Sequence, residues 1–243
     1  THIRISTELP EAIKSVFNVQ EDVPDDGFDY VNSFQVRYQS LSNSGDPISV
    51  VPASIAFQTQ TALKTLEEKH GAIDDFVNGK LQYESHDELF ECFSPEQIDA
   101  LALSIDSADN ETGTICADAT GLGKGRVGAG LLRWAVMAGR KFVFITEKDN
   151  LFTDFIRDVM DIKSLDLVGM PFIMNSGCKI IDQRDGSVMA RSLPPAQNKR
   201  IIASKTLPEG VNWVATTYSQ FNRKGSPKID FLAEVAKGQH IHT

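Results

Sequence analysis

The stretch that most constrains this chain is Asp118-Ala119-Thr120-Gly121-Leu122-Gly123-Lys124-Gly125-Arg126. It lies between an apolar run, Thr114-Ile115-Cys116-Ala117, and a helix-forming run from Val127 to Ala138 that carries Trp134 and ends at Gly139. Glycines let successive backbone N–H groups curl inward around an anion. The start of the following helix adds partial positive charge. Lys124 adds a full charge suited to the β- and γ-phosphates of a nucleotide. The order strand, loop, helix therefore reads as a phosphate-binding loop, with Lys124 as its catalytic charge and Thr120, Gly121, Leu122, Gly123, Gly125 and Arg126 around the phosphates.

The pattern G-x-x-x-x-G-K-[ST] is met only in part. Asp118 stands at the first glycine, and Gly125 stands where a Ser or Thr hydroxyl ordinarily ligates Mg²⁺. A second class of binder stays open. Glycines 121, 123 and 125 after a strand, with Glu147 ending the next one, also suit a methyltransferase-type or dinucleotide site. Against it, a loop lysine has no phosphate to meet on S-adenosylmethionine.

The rest of the chain supports an α/β fold. Lys141 to Thr146 reads as a strand. Asn150 precedes a helix with Leu151, Phe152, Phe155, Ile156, Val159 and Met160 on one face. Phe172-Ile173-Met174 and Val211 to Tyr218 read as further strands, and Ile229 to Lys237 as a helix. Arg184-Asp185-Gly186 between two short runs signals a hairpin. Strand–helix alternation implies a parallel sheet with helices on its faces. Upstream, the spacing predicts helices over 53–106. Ser94-Pro95-Glu96-Gln97 opens the last of them as a capping box. The expected division is an arm or linker at 1–50, a helical lead-in at 51–112 and the α/β lobe at 113–243.

Composition narrows the function classes. No apolar run approaches the roughly 20 residues that cross a bilayer. Cys92, Cys116 and Cys178 have no metal or disulfide spacing and read as small apolar residues in a reducing compartment. The formal charge is −9, which by itself opposes nucleic acid. Its distribution does not: residues 1–50 carry −5, 51–119 carry −11 and 120–243 carry +7. The basic part begins where anions would bind. Thr146, Thr216, Thr217 and Tyr218 are candidate nucleic-acid contacts at strand ends; strand-end packing is the plainer reading. Gln97 either reads adenine or serves only the cap, and Arg126 either meets phosphate or is solvated. His240-Ile241-His242 offers two imidazoles without a third ligand, so no metal site is expected there.

Residues 118–126 resemble motif I of superfamily 2 helicases, and the Gly-Lys-Gly-Arg ending resembles the strawberry notch-type subfamily. Phe93 to Ala100 is similar to the segment upstream of motif I, whose glutamine contacts adenine. Thr146-Glu147 with Leu151-Phe152-x-Asp154-x-x-Arg157-Asp158 resembles the motif Ia region of the bacterial and phage branch. Val214 to Gln220 is similar to the later strand that faces nucleic acid, and Val50 to Ala53 and Ala72 to Val77 to that branch's helical lead-in. The resemblance spans roughly residues 45–235.

It implies a P-loop, RecA-like lobe that binds ATP and Mg²⁺, moves on DNA or RNA, and pairs with a second lobe elsewhere in a parent polypeptide. It also implies a cytoplasmic setting in a bacterial host, in a phage or plasmid antirestriction or DNA-modification protein, with packaging in a phage particle as a further setting. One element of the pattern is missing. The Asp-Glu-x-His box does not follow Val214 to Gln220, and Asp87-Glu88 precedes the loop. The expectation is an inactive fragment ending before that box, with most magnesium ligands outside it. A structural or binding module in a larger assembly remains the other reading.

Overall fold

The structure, a computed structural model, describes residues 35–116, 123–222 and 225–236. Most of the arm expected at 1–50, the loop residues Thr120, Gly121 and Leu122, and His240 and His242 lie outside the described residues.

Two short strands, β1 (Gln35–Arg37) and β2 (Val50–Pro52), pair with each other. Helices α1 (Ala53–His70), α2 (Ile73–Leu81), α3 (His86–Cys92) and α4 (Pro95–Asp109) follow. Their apolar stripes face inward: Leu63 and Leu66 from α1, Ile73, Phe76, Val77 and Leu81 from α2, and Ile98, Leu101, Ala102 and Ile105 from α4. Ser85 starts α3 by accepting from Glu88 N at 3.2 Å. At α4 the capping box forms as the spacing predicts, with Ser94 N donating to Gln97 Oε1 at 3.1 Å.

Next come α5 (Lys124–Met137), β3 (Phe142–Thr146), α6 (Leu151–Asp161), the one-turn α7 (Leu165–Val168) and β4 (Phe172–Ile173). A hairpin, β5 (Lys179–Ile181) with β6 (Val188–Arg191), turns where Arg184-Asp185-Gly186 signals it. Then α8 (Pro195–Ser204), β7 (Trp213–Thr217), a 3-10 turn (Tyr218–Phe221) and α9 (Pro227–Val235) complete the order.

The main sheet has the strand order β3-β7-β4, all parallel. Every residue of the central strand β7 is buried, as a strand covered on both faces must be. Side chains alternate between faces. Phe142, Trp213, Ala215 and Ile173 join the large core with α4, α5 and α6. Val143, Val214 and Phe172 join a smaller core with Ile202 of α8 and Phe231 and Leu232 of α9. Trp134 of α5 is core, 2% exposed. The fold is α/β, a parallel three-stranded sheet flanked by helices. No helix among the described residues is long and apolar enough to cross a membrane.

Buried Arg133 ties α5 to its neighbours. It donates to Leu81 O at 2.6 Å, Gln82 O at 3.1 Å and Ser164 Oγ at 3.1 Å, with its guanidinium over the Tyr83 ring. A cation at the last carbonyls of α2 complements that helix end.

The run before the loop behaves differently from its expectation. Thr114, Ile115 and Cys116 belong to no strand, and Ile115 is 92% exposed. Among the described residues β3 pairs on one edge only, with β7. An apolar run becomes a strand only when a neighbour completes its hydrogen bonds. Cys116 is exposed as well, while Cys92 and Cys178 are buried as expected.

Candidate nucleotide site

Gly123 precedes α5 in the left-handed region, with φ 77° and ψ 35°. Its carbonyl accepts from Arg126 N at 2.9 Å and Val127 N at 3.4 Å, closing the first turn. A Cβ here would fall 2.2 Å from Gln97 Nε2. Glycine is therefore needed twice, for the backbone angle and for the approach of α4. Gln97 is buried, its Oε1 is engaged in the Ser94 cap, and its amide nitrogen faces the glycine. One side chain thus both caps α4 and abuts the loop.

Lys124 is the first residue of α5. The start of α5, which precedes β3 in the chain, is the kind of helix N-terminus that holds anions in α/β folds. Lys124 borders a cleft of about 610 Å³. The remaining walls are Ser104 of α4, Glu111 to Cys116, Val127, Gly128 and Leu131 of α5, and Phe142 to Ile145 of β3.

Arg126 reaches toward other partners. Its guanidinium pairs with Asp161 Oδ2 at 3.2 Å and touches Cys92 O at 3.5 Å. At Gly125 a Cβ would fall 1.8 Å from Asp158 Oδ2 of α6. The other oxygen of Asp158 accepts from Arg157 at 3.2 Å. Arg157 also bonds Asp154 Oδ1 at 3.4 Å and Gln183 Oε1 at 3.3 Å. Burial pushes the Asp158 carboxyl above its ordinary value; Arg157 and Arg126 oppose this and Asp161 reinforces it. The first turn of α5 thus rests on a charged face of α6.

The candidate nucleic-acid residues form a second group. Thr146 and Thr217 are partners in register at the ends of β3 and β7. Thr216 Oγ1 donates to Asn175 Oδ1 at 3.3 Å, Asn175 Nδ2 donates to Thr217 Oγ1 at 2.8 Å, and Thr217 meets Ser219 Oγ at 2.9 Å. Thr146, Thr216 and Thr217 are buried, so the hydroxyls of Thr216 and Thr217 fix the strand end from within. Tyr218 is 59% exposed and presents its ring outward.

Sequence reasoning passed over Asn175 and the position of Asp158. The signal for Asn175 was a polar residue directly after the buried run Phe172-Ile173-Met174. The signal for Asp158 was the glycine at 125, where a side chain is usual.

The donor set suits a magnesium nucleotide. Lys124 and the helix start are cationic, the glycines at 123 and 125 admit no side chain, and Asp158 offers the hard oxygen magnesium prefers. Among the described residues no three His, Cys, Asp or Glu side chains gather as a metal cage. Magnesium on a nucleotide needs no such cage, since phosphate oxygens and water fill most of its shell. No family model matches the sequence, and no curated protein and no solved structure matches the chain.

Proposed function

We propose that this chain is the nucleotide-binding part of an ATP-dependent DNA or RNA helicase or translocase, of the strawberry notch-like superfamily 2 group. On this reading the parallel sheet belongs to a first RecA-like lobe, and a second lobe lies in the parent polypeptide. The observation that carries it is Lys124, opening α5 directly after a left-handed Gly123 and bordering the cleft beside β3. Lys124 would hold the phosphates with the α5 N-terminus, and Gln97 would bound the nucleotide from α4. Nucleic acid would pass over the ends of β3 and β7, where Tyr218 can stack on a base and the basic segment after residue 120 meets the backbone. A phage or plasmid antirestriction protein is the proposed setting.

Isothermal titration calorimetry of ATP against the wild-type chain and Lys124→Ala tests the reading. Loss of a charged phosphate contact should lower affinity on the order of a hundredfold while circular dichroism stays unchanged. Equal affinity in both proteins, or tighter binding of S-adenosylmethionine than of ATP, sinks it.

A further inference from the structure

Gly125 leaves a question the phosphate-loop reading does not answer, namely what supplies the oxygen that a serine or threonine would bring. The volume of that missing side chain is filled. The Cβ of any residue at 125 would fall 1.8 Å from Asp158 Oδ2 and 2.9 Å from its carboxyl carbon. The carboxylate of α6 therefore lies within the space that a side chain at 125 would take. We propose that Asp158 contributes to the nucleotide's metal the oxygen that position 125 lacks, and that position 125 is glycine because this carboxylate occupies its place. The proposal rests on the nucleotide reading above.

Asp158 is suited to the role by how it is held. Arg157 takes Oδ1 at 3.2 Å, which orients the carboxylate and leaves Oδ2 directed at the loop. The side chain is 16% exposed, so it has little room to swing away. Arg126, one of the two cations of the loop, is paired with Asp161.

The electrostatics make the role measurable. A carboxylate beside a triphosphate repels it, and a divalent cation between the two turns that repulsion into two attractions. Asp158 should thus weaken binding of metal-free nucleotide and strengthen binding of the metal complex. A residue that only packs would change both affinities alike.

The experiment titrates a fluorescent ATP analogue into the full chain, once with Mg²⁺ and once with EDTA. Electron paramagnetic resonance of Mn²⁺ in the same mixtures reads metal capture directly. Four variants are compared: Asp158→Asn, Asp158→Ala, Gly125→Ser and the double Gly125→Ser/Asp158→Ala, each checked by circular dichroism. Wild type should bind at least about tenfold tighter with Mg²⁺ than with EDTA. Asp158→Asn should lose that ratio, hold or gain affinity in EDTA, and no longer capture Mn²⁺ beyond what nucleotide alone holds. Gly125→Ser should weaken binding in both media, because serine and Asp158 claim one volume. The double variant should regain the metal dependence through the serine hydroxyl. If Asp158→Asn keeps the wild-type ratio, or weakens both media equally, the metal role is wrong and the phosphate loop stands. If wild type binds no nucleotide in either medium, the loop reading and this inference fall together.

Discussion

Two stretches of this chain lie outside every described helix and strand, and they are held in opposite ways. Residues 38–49 are pinned by carboxylates from two helices. Asp99 Oδ2 accepts from Tyr38 Oη at 2.9 Å and Leu41 N at 3.3 Å. Asp74 Oδ2 accepts from Asn43 N and Nδ2, both at 2.9 Å. Glu96 Oε1 accepts from Ile48 N at 2.8 Å, Ser49 N at 3.2 Å and Ser49 Oγ at 3.0 Å. Residues 112–116 are tied back at their start, where Thr112 N donates to Ser107 O at 2.8 Å. Beyond that they pass an apolar cleft with Ile115 turned outward. Extended backbone is fixed by a strand neighbour or by side-chain acceptors. The first stretch has side-chain acceptors, whereas the second belongs to no strand among the described residues.

The pinned stretch rests on a buried carboxyl, and raising the pH weakens it. Asp99 is 0% exposed, and its Oδ1 has no hydrogen-bond partner among the described residues. Burial raises its pKa from 3.8 to about 6, although the hydrogen bonds from Tyr38 and Leu41 oppose the rise. Between those two values the folded chain keeps a proton that the unfolded chain has released. Stability therefore falls as pH rises through that window, and the loss is complete above about pH 6. Between pH 4 and pH 7 this single group should cost roughly 2–3 kcal/mol. Asp99→Asn keeps the shape and an acceptor oxygen, so it should remove that fall. Urea unfolding of both proteins at the two pH values measures the difference, and parallel profiles would refute a buried ionisation at Asp99.

Asp74 comes next in size. It is 3% exposed and receives two hydrogen bonds from Asn43. Asp74→Ala removes both hydrogen bonds that Asn43 gives to the carboxylate and should cost about 2 kcal/mol. Hydrogen exchange should accelerate at Asn43 and its neighbours while β3 and β7 remain protected. A loss spread evenly over the chain would mean that Asp74 supports α2 rather than the extended stretch.

The contrast also explains what was legible beforehand. Helices α4, α5 and α6 could be read because a helix completes its own hydrogen bonds, leaving an apolar stripe and a cap as sufficient signs. The capping box at Ser94 and the stripe of Phe152, Phe155, Ile156 and Val159 are such signs. Strands β3, β4 and β7 were legible because apolar runs follow one another at parallel-sheet spacing. Thr114 to Cys116 shows the limit of that rule: composition marks a run as able to pair but not whether a partner edge lies beside it. The pinning of 38–49 was hidden, since its acceptors sit 31 to 61 residues away and look like ordinary surface acids. Helix α8 was missed for another reason, since within it only Asn198 and Ile202 are buried and no stripe forms. At the candidate site, Lys124 and Gly123 could be read from local sequence, whereas the carboxylate against Gly125 arrives from α6.

The smallest effect tests the open stretch. Ile115 is 92% exposed and outside every described strand. An isoleucine buried on folding would contribute about 1.5–3 kcal/mol, so a polar substitution distinguishes the two states sharply. Ile115→Asn should change stability by less than about 0.5 kcal/mol, as surface substitutions do. Urea unfolding of the pair is sufficient to measure it, provided the slopes match. A loss near the buried value would mean that Ile115 is covered in solution. The nearest cover is the cleft beside Phe142 to Ile145, and a strand docked on that edge of β3 would bury it. In that case hydrogen exchange should slow at residues 113–116 as well, and the two extended stretches would differ only in what holds them.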